Sequence, residues 1–125
     1  MAAQPPAASP SQREGSRAEA AARRFLMAAG LQPLAANLRC RAGEIDLLMR
    51  DGHVLVFVEV RTRSRGDFGG ALASVGPRKR QRLLATARYF LHTSWRGPPP
   101  VCRFDVGAFD GDACHWVRDA FGETG

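Results

Sequence analysis

Two neighbouring runs of this chain set acids and a base at the ends of apolar stretches. Glu44-Ile45-Asp46 leads into Leu47-Leu48-Met49, and Val58-Glu59-Val60-Arg61 closes the run that begins at Val54. Asp51-Gly52 lies between them, and such a dipeptide between apolar runs signals a β-hairpin. If these two residues form the turn, Arg50 faces His53, Asp46 lies opposite Phe57 and Glu44 opposite Glu59. Opposed residues share a face, as do residues two apart on one strand. One face then carries Glu44, Asp46, Glu59 and Arg61, with Asp46 and Glu59 as diagonal neighbours about 7–8 Å apart along the backbone. A four-residue turn keeps this parity, whereas a three-residue turn without a bulge splits the two acids.

Carboxylates gathered at the end of a core strand repel one another and lose hydration. A divalent cation resolves both conflicts. Mg²⁺ takes hard oxygen ligands, commonly one or two carboxylates together with waters and a substrate phosphate. It polarises a phosphoryl group and helps water to attack it. Arg61, two residues beyond Glu59, points at the same phosphate, where a cation offsets the charge that grows in the transition state. Without a metal, the same residues read as a solvated face on which Glu59 pairs with Arg61 or Arg63.

The elements that must hold this hairpin are legible around it. Residues 1–12 are Ala, Pro, Ser and Gln without apolar period, which predicts a disordered tail. From Arg13, Ala18, Ala22, Phe25 and Ala29 recur at helical spacing, with Ala21 and Leu26 beside them, and Gly30 ends the helix. An extended segment from Pro33 to about Cys40 precedes the hairpin strands 43–50 and 53–61. Val54 to Val58 is apolar without alternation, the mark of a strand covered on both faces. Residues 62–76 read as a mobile loop. Pro77 suits the first position of a second helix, whose stripe is Leu83, Leu84, Ala87, Phe90 and Leu91. Gly97 and three prolines stop it. Residues 102–109 and 114–121 form two more strands, turning at Asp110-Gly111-Asp112, and 122–125 fray. The order α-β-β-β-α-β-β predicts an α/β fold with a central mixed sheet, one domain over 13–121.

The chain has 125 residues, enough for one core without disulfides. Its net charge is +6, from 18 Lys+Arg against 12 Asp+Glu, and every basic residue except Lys79 is arginine. Arginine forks match phosphate geometry, so a polyanion is a natural partner, although a genome that favours arginine codons gives the same balance. Cys40, Cys102 and Cys114 are scattered and odd in number, which argues against a zinc ribbon or redox pair and for small buried hydrophobes. His53, His92 and His115 lack metal-ligand spacing, and Trp95 and Trp116 read as packing residues. No stretch has the length of a membrane helix and no leader is visible, which predicts a cytoplasmic protein.

The stretch GEIDLLMRDGHVLVFVEVRTR, residues 43–63, resembles the signature of the YraN-like family of bacterial proteins. That family is placed in the restriction-endonuclease-like, PD-(D/E)xK superfamily, and it is similar to archaeal Holliday-junction resolvases. The resemblance extends over most of residues 15–109, through Glu19 with Ala21-Ala22, Asn37, Arg39-Cys40, Phe68-Gly69, Val75, Lys79, Arg82 and Arg103-Phe104-Asp105-Val106. It implies a Mg²⁺- or Mn²⁺-dependent endonuclease. Asp46 and Glu59 would be metal ligands with the Val60 carbonyl, and Glu19 would reach in from the first helix. Arg61 stands where the superfamily usually has lysine, and arginine is effectively never deprotonated. Ala18 replaces the glycine that usually precedes the helical glutamate.

Further residues are candidates for gripping nucleic acid. Arg78, Lys79, Arg80 and Arg82 open the second helix, where cations oppose the helix dipole unless a ligand compensates. A solvated charged face is the plainer account. Arg63 and Arg65 could clamp a backbone, and Phe68 could stack on a base or dock into the core. Glu19 also suits the first turns of a helix and a pairing with Arg23. Asp105 reads as a supporting residue of the site or as a partner of Arg103. The expected activity is phosphodiester hydrolysis in DNA, with branched or repair intermediates and a homodimer suggested by analogy alone. The alternatives are a nucleic-acid-binding module of the same fold that has lost turnover, favoured by Arg61, and a basic scaffold for a protein partner.

Overall fold

The computed structural model describes residues 10–61, 75–110 and 113–122. The elements run α1 (Pro10–Ala28), β1 (Gln32–Cys40), β2 (Gly43–Asp51), β3 (Val54–Val60), α2 (Pro77–Ser94), β4 (Val101–Asp110) and β5 (Ala113–Phe121). This is the α-β-β-β-α-β-β order expected, in an α/β arrangement compatible with a restriction-endonuclease-like fold. Helix α1 begins at Pro10, three residues ahead of the start at Arg13 read from periodicity. Proline's fixed φ and missing N–H suit the first turn of a helix. Arg63, Arg65, Phe68 and the turn at Gly111-Asp112 lie outside the described residues.

The five strands form one mixed sheet in the order β1-β2-β3-β4-β5. Only β3 and β4 are parallel; the other neighbours are antiparallel. A parallel pair needs a crossover, and α2 lies on it. Along β3, Leu55 and Phe57 join a cluster with Leu83 and Ala87 of α2, while Val56 and Val58 join one with Ala22 and Leu26 of α1. Alternate residues of a strand face opposite ways, so the helices cover opposite faces and β3 is buried on both. The expected stripe of α1 is rotated slightly. Ala22 and Leu26 are its buried members, and Phe25 lies at the rim with its ring edge-on to Trp116.

The hairpin register differs from the sequence expectation. Asp51 remains in the strand and pairs with Val54, so the turn is Gly52-His53. Gly52 holds φ +61°, the left-handed geometry that a two-residue hairpin turn needs and that glycine adopts at least strain. Asp51 is kept in the strand by Arg103 of β4, whose Nη1 donates to Asp51 Oδ2 at 2.8 Å. The shift is by two in the pairing sum, so the parity of the faces survives. Paired residues run to Leu47↔Val58, so the ladder ends one step before Asp46 and Glu59.

Asp105 settles as the partner of Arg103 rather than as a support of the acids at the strand ends. It is fully buried beneath the α1 side of β4. Its carboxylate accepts from Arg103 Nε at 3.1 Å, Trp116 Nε1 at 2.9 Å and the Asp119 N–H at 3.0 Å. The last bond is needed because the β4–β5 register shifts between Phe104 and Val106, which leaves Asp119 without a ladder partner. Trp95, expected to pack, is instead exposed; its indole N–H donates to the Pro98 carbonyl at 2.9 Å in the turn after α2. Cys40 and Cys102 are free and half-buried rather than fully buried. Removing one partner from a buried ion pair strands the other. Asp105→Ala is therefore expected to lower unfolding free energy by about 3–5 kcal/mol, read by urea denaturation, with Asp105→Asn losing less.

Candidate active site

Beyond Leu47↔Val58 strands β2 and β3 part, and a side chain replaces the ladder. Asp46 Oδ2 accepts the Val60 N–H at 2.8 Å. Asp46 is thus anchored against β3 at the point where the sheet opens. The neighbouring Arg61 N–H turns the other way, to the Gly107 carbonyl at 2.8 Å.

Four acids converge around this opening. Glu19 from α1, Glu44 and Asp46 from β2 each offer a carboxylate oxygen, and these three atoms lie within 4.8 Å of one another. Glu59 from β3 is 5% exposed and is held by cations instead. Lys79 Nζ lies 2.8 Å and Arg61 Nη1 3.6 Å from its Oε1. Asn37 joins the group from β1, in the left-handed conformation at φ +54° that asparagine tolerates. Its amide nitrogen, oriented toward these acceptor-only groups, donates to Glu19 at 3.2 Å and to Glu44 at 3.0 Å. Arg39 Nε pairs with Glu44 at 3.3 Å.

The electrostatics follow from this crowding. Burial, then the charge of Glu59, pushes the Asp46 carboxyl up to about 7, against the pull of the Val60 N–H. Burial also raises Glu19, partly offset by its bond to Asn37. The acids open onto a cavity of roughly 400 Å³ lined by Arg41, Gly43, Glu44, Asp46, Glu59, Lys79 and Arg82. A polar cavity with acids at its floor and cations at its rim suits a divalent ion and a phosphate together.

Of the residues singled out from sequence, Glu19, Asp46, Glu59, Arg61 and Lys79 are brought together here, and Val60 lends its N–H to Asp46. Arg82 lines the cavity, while Arg78 stands exposed beside it on an adjoining hollow shared with Ala42, Gln81 and Arg82. Arg80 faces elsewhere. Its Nε donates to the Val75 carbonyl at 2.8 Å and its guanidinium lies over the Phe121 ring, so it ties the start of α2 to β5.

Three residues gained a place that spacing did not give them. Glu44 shared the predicted face but joins Glu19 and Asp46 as a ligand-competent oxygen. Asn37 carried no signal beyond the resemblance, because its value lies in a backbone conformation. Arg41 sits in the β1–β2 turn, and nothing local marks it as part of the cavity.

Comparison with known proteins agrees with the resemblance. A model described as uncharacterised protein family UPF0102 matches residues 18–109. The chain belongs to the UPF0102 family. A UPF0102 protein of Bordetella parapertussis is 55% identical over 117 residues, 90% of this chain and 66% of that protein. One from Alkalilimnicola ehrlichii is 49% identical over 121 residues, 97% and 96% of the two chains. One from Halorhodospira halophila is 56% identical over 111 residues, 87% of each. The UPF0102 match spans every acid of the cluster and Lys79.

The Asp46 carboxyl titrates near 7 in the fold and near its ordinary 3.8 when unfolded. A raised carboxyl means that the folded state binds its proton more tightly. Its stabilising contribution is complete below about pH 4 and is lost as pH rises through 7. In chelator, Asp46→Asn is expected to stabilise the protein by about 2–4 kcal/mol at a pH of about 8 and by little at a pH of about 4. Thermal unfolding at the two pH values measures this. Equal effects at both would show that Asp46 carries no such strain.

Proposed function

We propose that the protein is a divalent-metal-dependent endonuclease that hydrolyses phosphodiester bonds in DNA. The observation that carries this reading is the convergence of Glu19, Glu44 and Asp46 within 4.8 Å, where Glu44 and Asp46 line a cavity shared with Glu59, Arg41, Lys79 and Arg82. The donor set fits Mg²⁺ or Mn²⁺, being all carboxylate oxygen. The raised Asp46 carboxyl is the mark of negative charge in want of a cation. Glu19, Glu44 and Asp46 would hold the ion, with Glu59 and the Val60 carbonyl closing from β3 as the resemblance implies. The bound ion supplies Lewis acidity to the phosphoryl group.

The chain's own residues do the rest. Asn37 fixes Glu19 and Glu44 relative to each other. The Val60 N–H fixes Asp46. Arg61 faces charge on the phosphate with a guanidinium that keeps its proton. Arg41, Arg78 and Arg82 offer cations to flanking phosphates, a contact that gives affinity and position without reading sequence. In the hydrolysis, a water oxygen bonds to phosphorus and the bond from phosphorus to one sugar oxygen breaks. The water's proton passes through solvent, and the leaving oxygen takes one up. Branched or repair intermediates as substrates, and a dimer to treat two strands, follow from the resolvase analogy alone. The membrane plays no part in this reading, and among the described residues no helix is long and apolar enough to cross one.

A second reading has a specific basis in Arg61. The superfamily's lysine is absent from this position, so a module that binds nucleic acid and no longer turns it over fits the same geometry. Labelled flap, junction and single-stranded DNA, incubated with Mg²⁺, Mn²⁺ or chelator, separate the two. Metal-dependent cleavage that falls at least about 100-fold in Asp46→Ala is the expected result. Salt-sensitive binding without cleavage would establish the binding module instead. Absence of both would sink the two readings together. Arg61→Lys is expected to cleave at least as fast as the parent.

A further inference from the structure

The protein has eighteen basic residues and a single lysine. That lysine lies 2.8 Å from the nine-tenths-buried Glu59. Lys79 stands in the first turn of α2, where no acidic residue offsets the helix dipole and a cation is disfavoured. Its side chain is one-third exposed, and it lines the cavity that holds Glu44, Asp46 and Glu59.

Arginine takes every other basic position, so the exception needs a chemical reason. An ammonium is a compact point charge with three rotatable donors. A guanidinium is a wider planar fork that spreads its charge. At 2.8 Å from Glu59 Oε1, Lys79 spends one donor on that oxygen and has others to turn into the cavity. Arg61 approaches the same oxygen only to 3.6 Å. The two cations thus flank one carboxylate, the arginine from the strand and the lysine from the helix.

We infer that Lys79 is a catalytic residue of this site, its ammonium contacting the scissile phosphate and taking from α2 the place that Arg61 leaves on β3. The inference rests on the phosphodiesterase reading above. Lys79 acts here as a hydrogen-bond donor and a point charge. It hydrogen-bonds a non-bridging phosphate oxygen and offsets the charge that accumulates there as the new bond to water forms and the bond to the leaving oxygen breaks. Its bond to Glu59 holds the ammonium in position before substrate arrives, so little ordering remains to be done at the moment of reaction. This differs from a role in gripping flanking backbone, which fits Arg78 and Arg82 at the rim.

The single lysine also makes the test clean. Protein grown with lysine labelled at Cε and Nζ gives one side-chain signal. A short DNA duplex in Ca²⁺ is expected to shift it, and Mn²⁺ alone to broaden it. Asp46→Ala should abolish the broadening. A signal that ignores both ions and DNA overturns the assignment whether or not the protein cleaves. In the cleavage assay, Lys79→Ala is expected to lose about 100-fold in kcat while Mn²⁺ affinity changes less than threefold. Lys79→Arg should recover only a small part, and added methylamine should partly rescue Lys79→Ala. An Ala variant as fast as the parent overturns the inference. A parent that does not cleave sinks the hydrolysis reading and the catalytic role with it, whereas a parent that cleaves beside an equally fast Lys79→Ala overturns the Lys79 assignment alone. The labelled-lysine spectra decide in either case whether the ammonium meets phosphate.

Discussion

The site depends on the hydrogen bond from the Val60 N–H to Asp46 Oδ2. A sheet satisfies its backbone donors by pairing strands, and an unpaired donor inside a protein is costly. Here β2 and β3 separate while Val60 is still half-buried, and a carboxylate stands in for the missing carbonyl. One side chain thus ends the ladder, satisfies the orphaned donor and fixes its own position. The opening it sustains admits Glu19 from α1 and Lys79 from α2, two helices that otherwise lie on opposite faces of the sheet.

Two carboxylates of the central strands, the fully buried Asp105 and the half-buried Asp46, show what distinguishes a structural acid from one held ready for chemistry. Asp105 is saturated by Arg103, Trp116 and the Asp119 backbone, and Arg103 extends the network to Asp51. That network clamps the hairpin turn to β4. Among the described residues the acids around Asp46 meet few donors and lie against one another, and burial together with the charge of Glu59 pushes Asp46 far above its ordinary range. Burial alone does not separate the cases, since Asp105 is the more deeply buried. The supply of fixed donors does. The first group stabilises the fold, and the second retains unmet demand for positive charge.

Much of this was legible in the residues. The apolar run Val54–Val58, the glycine in the turn and Pro77 at the head of α2 each act through local physics, and each element stands where its residues place it. Asp46 and Glu59 still line one cavity although the turn falls one residue later than its dipeptide predicts, because shifting the pairing sum by two keeps the parity of the paired residues. The register itself was not legible. It turns on Arg103 reaching Asp51 across the sheet, a contact between residues 52 positions apart. Nor could spacing reveal Asn37 or Arg41, whose contributions arise from a left-handed backbone and from where a turn meets a distant helix. Arg80 looked identical in sequence to its neighbours and was separated from them only by the direction it faces.

Gly43 adds a geometric condition. It opens β2 at φ +155°, and a Cβ built there would lie 3.4 Å from Thr86 Oγ1 and 3.6 Å from Arg82 Cβ. The strand therefore runs almost in touch with the helix, and a lone hydrogen atom sets the clearance between them. A methyl group would just touch the helix, whereas a longer side chain would act as a shim, lifting α2 off the sheet and drawing its lysine away from Glu59. The spacing of the charged groups can thus be retuned from a position that bears no charge.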